Sequence, residues 1–193
     1  MACIGTTVLP ACAPLVVGGA MVGGTLVFMD RRTTGAQVDD QAIELKAGNR
    51  IKEIGGPYAH VNITSYNRTV LLTGEVATEA DRGAVEQTVQ RIDNVRSTVN
   101  ELAAMAPSSL GARSQDTVLT SKIKATLVDA RDLQANAFKV VTERSVVYLM
   151  GRVTEREANR ATELARGVSG VQKVVRVFEI VTEAELAESA PKK

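Results

Sequence analysis

The sequence predicts an α+β fold built twice from one small unit, and three observations carry that expectation. First, residues 145–171 read as strand, tight turn and helix. Positions 146–150 are mostly β-branched or aromatic, Gly151 interrupts them, and Thr154 stands three residues before Glu157 at the spacing of a capping box. Second, the same pattern occurs earlier in the chain. Val70, Leu71, Leu72, Thr73 and Gly74 precede Thr78 and Asp81, and Val85, Val89 and Ile92 then share one helical face. Gly74 answers Gly151, Val76 answers Val153, and residues 92–95 answer residues 168–171. Third, each copy has the order helix, strand, strand, helix, strand. Glycine, cap and helical face rarely align together by chance, so the chain is read as an internal repeat.

Each unit is therefore expected as αββαβ, with a three-stranded mixed sheet and two helices on one face. The second strand, its helix and the third strand form a crossover, whose handedness makes those two strands parallel. A unit of about 65 residues buries only roughly 60% of its unfolded surface and is marginal alone. The uncovered sheet face needs a partner, and the other unit is the nearest candidate.

Taken in order, residues 1–38 are expected as a signal or lipobox remnant with a flexible tether. Residues 39–104 form the first unit. Within it Ile43, Ala47, Ile51 and Ile54 recur at helical spacing behind Asp39 and Asp40, which read as N-capping acids, and Gly55, Gly56 and Pro57 stop the helix. Val61 and Ile63 alternate with Asn62 and Thr64 as in a half-buried strand, and Asn67-Arg68 supplies a hairpin turn. Residues 70–76 return, a helix follows from Thr78, and residues 97–102 form the third strand. Residues 105–115 read as a linker around Pro107 and Gly111.

The second unit spans 116–182. Leu119, Ile123 and Leu127 form its buried helical stripe at steps of four. Strands at 138–142 and 145–153, a helix from Thr154 ended by Gly170, and a strand at 174–180 complete the order. Residues 183–193 are a polar tail, either a frayed helix or disordered.

Composition excludes several functions. Net charge is +1 with acids and bases interspersed, and three Phe, three Tyr and no Trp leave few platforms for stacking bases. Nucleic-acid binding is not expected. There is one histidine, His60, and both cysteines, Cys3 and Cys12, fall in the first 12 residues. A Cys/His metal site cannot be assembled, and His60 reads as a half-exposed strand-end residue. No nucleophile and base can be paired, so no enzyme, cofactor or metal is expected.

Residues 1–29 carry no charge and end abruptly at Asp30-Arg31-Arg32. A membrane-spanning helix is long enough, but Pro10 and Pro14 break its first half and glycine pairs weaken the rest. The preferred reading is a processing signal. Leu9-Pro10-Ala11-Cys12 resembles a bacterial lipobox, in which Cys12 becomes the lipidated first residue and its acyl chains anchor the protein. Only eleven residues precede Cys12, without a basic n-region, which a start site further upstream would explain. A Cys3–Cys12 disulfide or two inert thiols remain as alternatives.

Residues 35–40, residues 61–66 and above all residues 148–158 with 168–171 resemble the BON domain. Two copies behind a lipobox are similar to the dual-BON outer-membrane lipoproteins of Gram-negative bacteria. The resemblance implies a non-enzymatic protein on the periplasmic face of the outer membrane. It further implies binding of an anionic, phosphatidylglycerol-like phospholipid through the second BON domain, and a role in envelope integrity and at the division site. The implied lipid surface lies on the first helix of that domain, at Thr117, Val118, Ser121, Lys122 and Lys124. Val118 stands where a characterised member carries tryptophan, and lies about 100° around the helix from Leu119. A periplasmic adaptor binding envelope proteins is the alternative function.

Overall fold

In a computed structural model, which describes residues 30–54 and 59–189, the chain runs α1 (Thr34–Ile54), β1 (His60–Tyr66), β2 (Thr69–Val76), α2 (Glu79–Gln90), β3 (Ser97–Asn100), β4 (Ala103–Ala104), α3 (Leu110–Asp129), β5 (Phe138–Glu143), β6 (Val146–Val153), α4 (Glu155–Arg166), β7 (Lys173–Ile180) and α5 (Glu183–Ser189). The readings placed on Cys3, Cys12, Pro10, Pro14 and the Gly55-Gly56-Pro57 helix stop lie outside the described residues.

Alternation along β2 and β6 dictates the layering. Val70, Leu72 and Val76 face α1 and α2, meeting Ile43, Ala47, Ile51, Val85 and Val89 in the first core. Val147, Leu149 and Val153 do the same against α3 and α4, with Leu119, Ile123, Leu127, Ala158 and Ala161. The residues between them point the other way. Leu71 from β2 meets Tyr148 and Met150 from β6, with Tyr66, Val99, Val141, Val175 and Val177 around them. The two sheets thus lie face to face between two helical layers, which is why β2 and β6 are buried almost throughout.

Both hairpins are antiparallel, and β2–β3 and β6–β7 are parallel, as the crossover rule requires. The sheets remain separate, one per unit. The first unit's third strand is broken at Glu101-Leu102: β3 and β4 both pair with β2, and Leu102 drops into the helical core between them. Gly74 has φ of +110°, and a side chain there would collide with the carbonyl oxygen of His60; at Gly151 it would meet the carbonyl of Ala137. The two glycines aligned by the repeat share one reason.

Three expectations need correction. Residues 30–38 are not a tether, because α1 begins at Thr34, where Thr33 Oγ1 accepts from Ala36 N, and Arg32 is tied to Asp30 and Asp40. Residues 105–115 are not all linker, because Ser109 caps α3 and the helix starts at Leu110. Asp40 is no N-cap; it sits inside α1 with its carboxylate turned to the β1–β2 hairpin. The tail adds a short helix, α5, opened by a Thr182–Glu185 capping box.

Candidate functional site

α3 buries Asp116, Leu119, Ile123 and Leu127, so the opposite face of a straight helix must point outward. That face holds Leu110, Val118 and Val128, exposed by 79%, 54% and 68%. Thr117, Val118, Ser121, Lys122 and Lys124 are all exposed there. They are not equivalent. Thr117 Oγ1 donates to Arg113 O and Ser121 Oγ to Thr117 O, both at 3.0 Å, so each hydroxyl is turned along its own helix.

Lys122 and Lys124 stand about 160° apart and flank the apolar strip on opposite shoulders. Lys122 borders a groove of about 400 Å³ with Val118, Ser145, Ser169 and Gly170. Lys124 borders another of about 510 Å³ with Leu127, Val128 and Asp30. Among the described residues neither lysine has a carboxylate partner, whereas Lys46 and Lys139 do. Leu110 and Val128 were missed in the sequence because Leu110 fell in the supposed linker. Helical angles counted from Val118 would have found Val128, and Leu110 only once α3 is known to begin there.

Asp30, the first charged residue of the chain, lines the second groove beside α3. The next two residues are bonded to both units. Arg31 donates to both carboxylate oxygens of Glu157, at 2.7 and 2.8 Å, to Arg152 O at 3.1 Å and to Gln134 Oε1. Arg32 pairs with Asp40 at 2.7 Å and stacks over the Tyr66 ring at 4.5 Å. One arginine grips the second unit and the next grips the first. Burial alone would raise the Glu157 carboxyl, but the Arg31 guanidinium and the amide of Thr154 outweigh it and hold it below its ordinary range.

A polar cluster also forms where the sheets meet. His60 Nδ1 lies 3.0 Å from Glu75 Oε2, and Asn62 Nδ2 donates to Glu143 Oε2 at 2.8 Å. His60 is more than a strand-end residue: its side chain is 19% exposed and Glu75 beneath it is fully buried. Burial raises the Glu143 carboxyl, and the charges of Glu75 and Asp116 add to that, against lowering by Asn62 and His60.

The family described as BON domain matches residues 39–105 and 115–182. Over 179 residues the chain is 36% identical to outer membrane lipoprotein DolP of Haemophilus influenzae, covering 91% of this chain and 92% of that protein. It is 31% identical over 159 residues to the 21 kDa hemolysin of Actinobacillus pleuropneumoniae, covering 79% and 80% of the two chains. Osmotically-inducible protein Y of Escherichia coli K12 is 33% identical over 110 residues, covering 54% of this chain and 50% of that one.

Proposed function

The chain belongs to the BON-domain family, and from that premise we propose that it is a non-catalytic, lipid-anchored protein of the outer membrane that supports envelope integrity from the periplasmic side. Its second BON domain docks on anionic phospholipid through the outward face of α3. The observation that carries this reading is the apolar strip Leu110, Val118 and Val128 between two lysines without a carboxylate partner among the described residues, with Asp30 lining the groove at Val128. Apolar side chains dip among acyl chains while each ammonium meets phosphate, and every lysine near an anionic surface contributes about 1 kcal/mol. Activity at the division site rests on the family resemblance alone.

The ion pairs that fix Arg31 and Arg32 to the fold suit an anchored protein. Acyl chains at Cys12 would keep the chain at the bilayer, so the α3 contact can be weak and still set orientation. Adding phosphatidylglycerol micelles to the 15N-labelled chain tests the contact. Amide shifts concentrated at Leu110, Val118, Lys122, Lys124 and Val128 are expected. Shifts confined to residues 1–29 would leave the anchor and remove the α3 contact. Shifts produced by an envelope protein and not by lipid would favour the adaptor function.

A further inference from the structure

His60, Glu75 and Glu143 each offer one donor atom, and the three atoms lie within 4.8 Å of one another. His60 and Glu75 come from β1 and β2 of the first unit, and Glu143 ends β5 of the second. We propose that these residues bind one divalent first-row transition-metal ion, zinc foremost, at the seam between the two units.

The donor set selects the ion. One imidazole nitrogen with two carboxylate oxygens suits zinc and its neighbours, whereas magnesium and calcium prefer all-oxygen shells. Around a tetrahedral ion with bonds of about 2.0–2.1 Å, ligand atoms sit about 3.3 Å apart. His60 Nδ1 and Glu75 Oε2 are already at 3.0 Å, and all three donor atoms lie within 4.8 Å of one another.

A second observation is independent of the spacing. Glu75 is fully buried, and its Oε1 has no hydrogen-bond partner; Thr73 Oγ1, one pleat along β2, is also buried without one. A buried carboxylate oxygen with nothing to meet is expensive, and a cation is the partner that removes the cost. Among the described residues no lysine or arginine pairs with Glu75 or Glu143. Arg113 reaches Glu75 only through Ser108, whose hydroxyl accepts from Arg113 Nε at 3.2 Å and donates to Glu75 Oε2 at 3.4 Å. That hydroxyl, or a water, is placed to complete the shell. A cavity of about 250 Å³ bordered by His60, Asn62, Asp116 and Glu143 gives an ion a way in.

Because its ligands come from both units, the ion would clamp the sheets together and stabilise the native chain by mass action. The test uses the full chain, stripped with chelator, with Cys3 and Cys12 alkylated so that no thiol competes. Calorimetric titration with zinc chloride should show one equivalent bound and a raised Tm. Glu143→Gln and His60→Ala should each weaken uptake roughly tenfold or more. The chain has a single histidine, so its imidazole 15N signals report directly on the wild type. Zinc should shift Nδ1 of His60. Absence of saturable uptake, uptake unchanged in both variants, or an unmoved His60 Nδ1 would each overturn the site.

Discussion

Asp40 and Asp116 make the same pair of bonds in the two units. Asp40 accepts from the backbone amides of Asn67 and Arg68 at 2.8 and 2.7 Å, and Asp116 from those of Arg144 and Ser145 at 2.7 and 2.8 Å. All four turn residues have positive φ, the conformation of a tight two-residue hairpin, and a turn of this kind leaves its amides without strand partners. A buried aspartate on the first helix satisfies them, and so locks each helix to its hairpin. Asp116→Ala should destabilise the chain by about 2–4 kcal/mol, two charge-assisted bonds being lost and two donors left bare. Asp40→Ala should cost more, since Ser65 and Arg32 also bond that carboxylate. Urea unfolding measures both, and equal effects for the two variants would count against the ranking.

The staple at residue 31 carries a prediction of its own. The side chains of Arg31 and Glu157 are 7% and 5% exposed. Removing one partner of a buried pair strands the other, so Arg31→Ala should cost about 3–5 kcal/mol. Glu157→Gln, which keeps the shape and removes the charge, should cost less. A thermal melt of Arg31→Ala within a degree of the wild type would show that the N-terminal clamp contributes nothing.

Acid should loosen the same clamp. Asp30, Asp40 and Glu157 are all held below their ordinary range despite burial, chiefly by bonds from Arg32, from Ser65 with the hairpin amides, and from Arg31 respectively. Carboxyls lowered in the folded state add stability above their unfolded values, about 3.9 for Asp and 4.3 for Glu. That stability is lost as pH falls through the folded values. Tm should hold to about pH 5 and decline below pH 4, with a shallower decline in Arg31→Ala.

These relationships mark where the sequence could be read and where it could not. Gly74 with Gly151 and the boxes at Thr78–Asp81 and Thr154–Glu157 are local signals, and all were legible. Asp40 looked like a helix cap because an acid before an apolar run usually is one; its partner lies 27 residues on. Arg31 and Glu157 are 126 residues apart, and His60 meets Glu143 only because the two sheets stack. No spacing within one unit encodes a contact between units. Lys122 and Lys124 were singled out by resemblance alone; Leu110 required knowing where α3 begins, and Val128 only its helical angle from Val118.

On α3, Lys122→Glu with Lys124→Glu should weaken binding to phosphatidylglycerol vesicles and invert its salt dependence, since each charge reversal replaces attraction with a repulsion that salt screens. Val118→Trp should strengthen binding, an indole burying more area at the interface than valine. Vesicle flotation at low and high salt reads both. The lysines and Val118 are exposed, so neither change should lower Tm by more than about a degree.

Glu143 titrates in the opposite sense to Glu157. Its carboxyl is raised above the ordinary value, first by burial and then by the nearby charges of Glu75 and Asp116. For such a group ionisation costs stability, so stability falls as pH rises from the unfolded value of about 4.3 through the folded one. In chelator, Glu143→Gln should therefore raise Tm at pH 8 and leave it nearly unchanged at pH 4. Saturating zinc should reverse the ranking at pH 8, because the wild type alone gains a full set of ligands. Melting both proteins at the two pH values, with and without zinc, separates the cost of the buried charge from the gain of the ion. A Glu143→Gln chain that melts lower than wild type in chelator at pH 8 would show that the hydrogen bond from Asn62 outweighs the desolvation of the carboxylate.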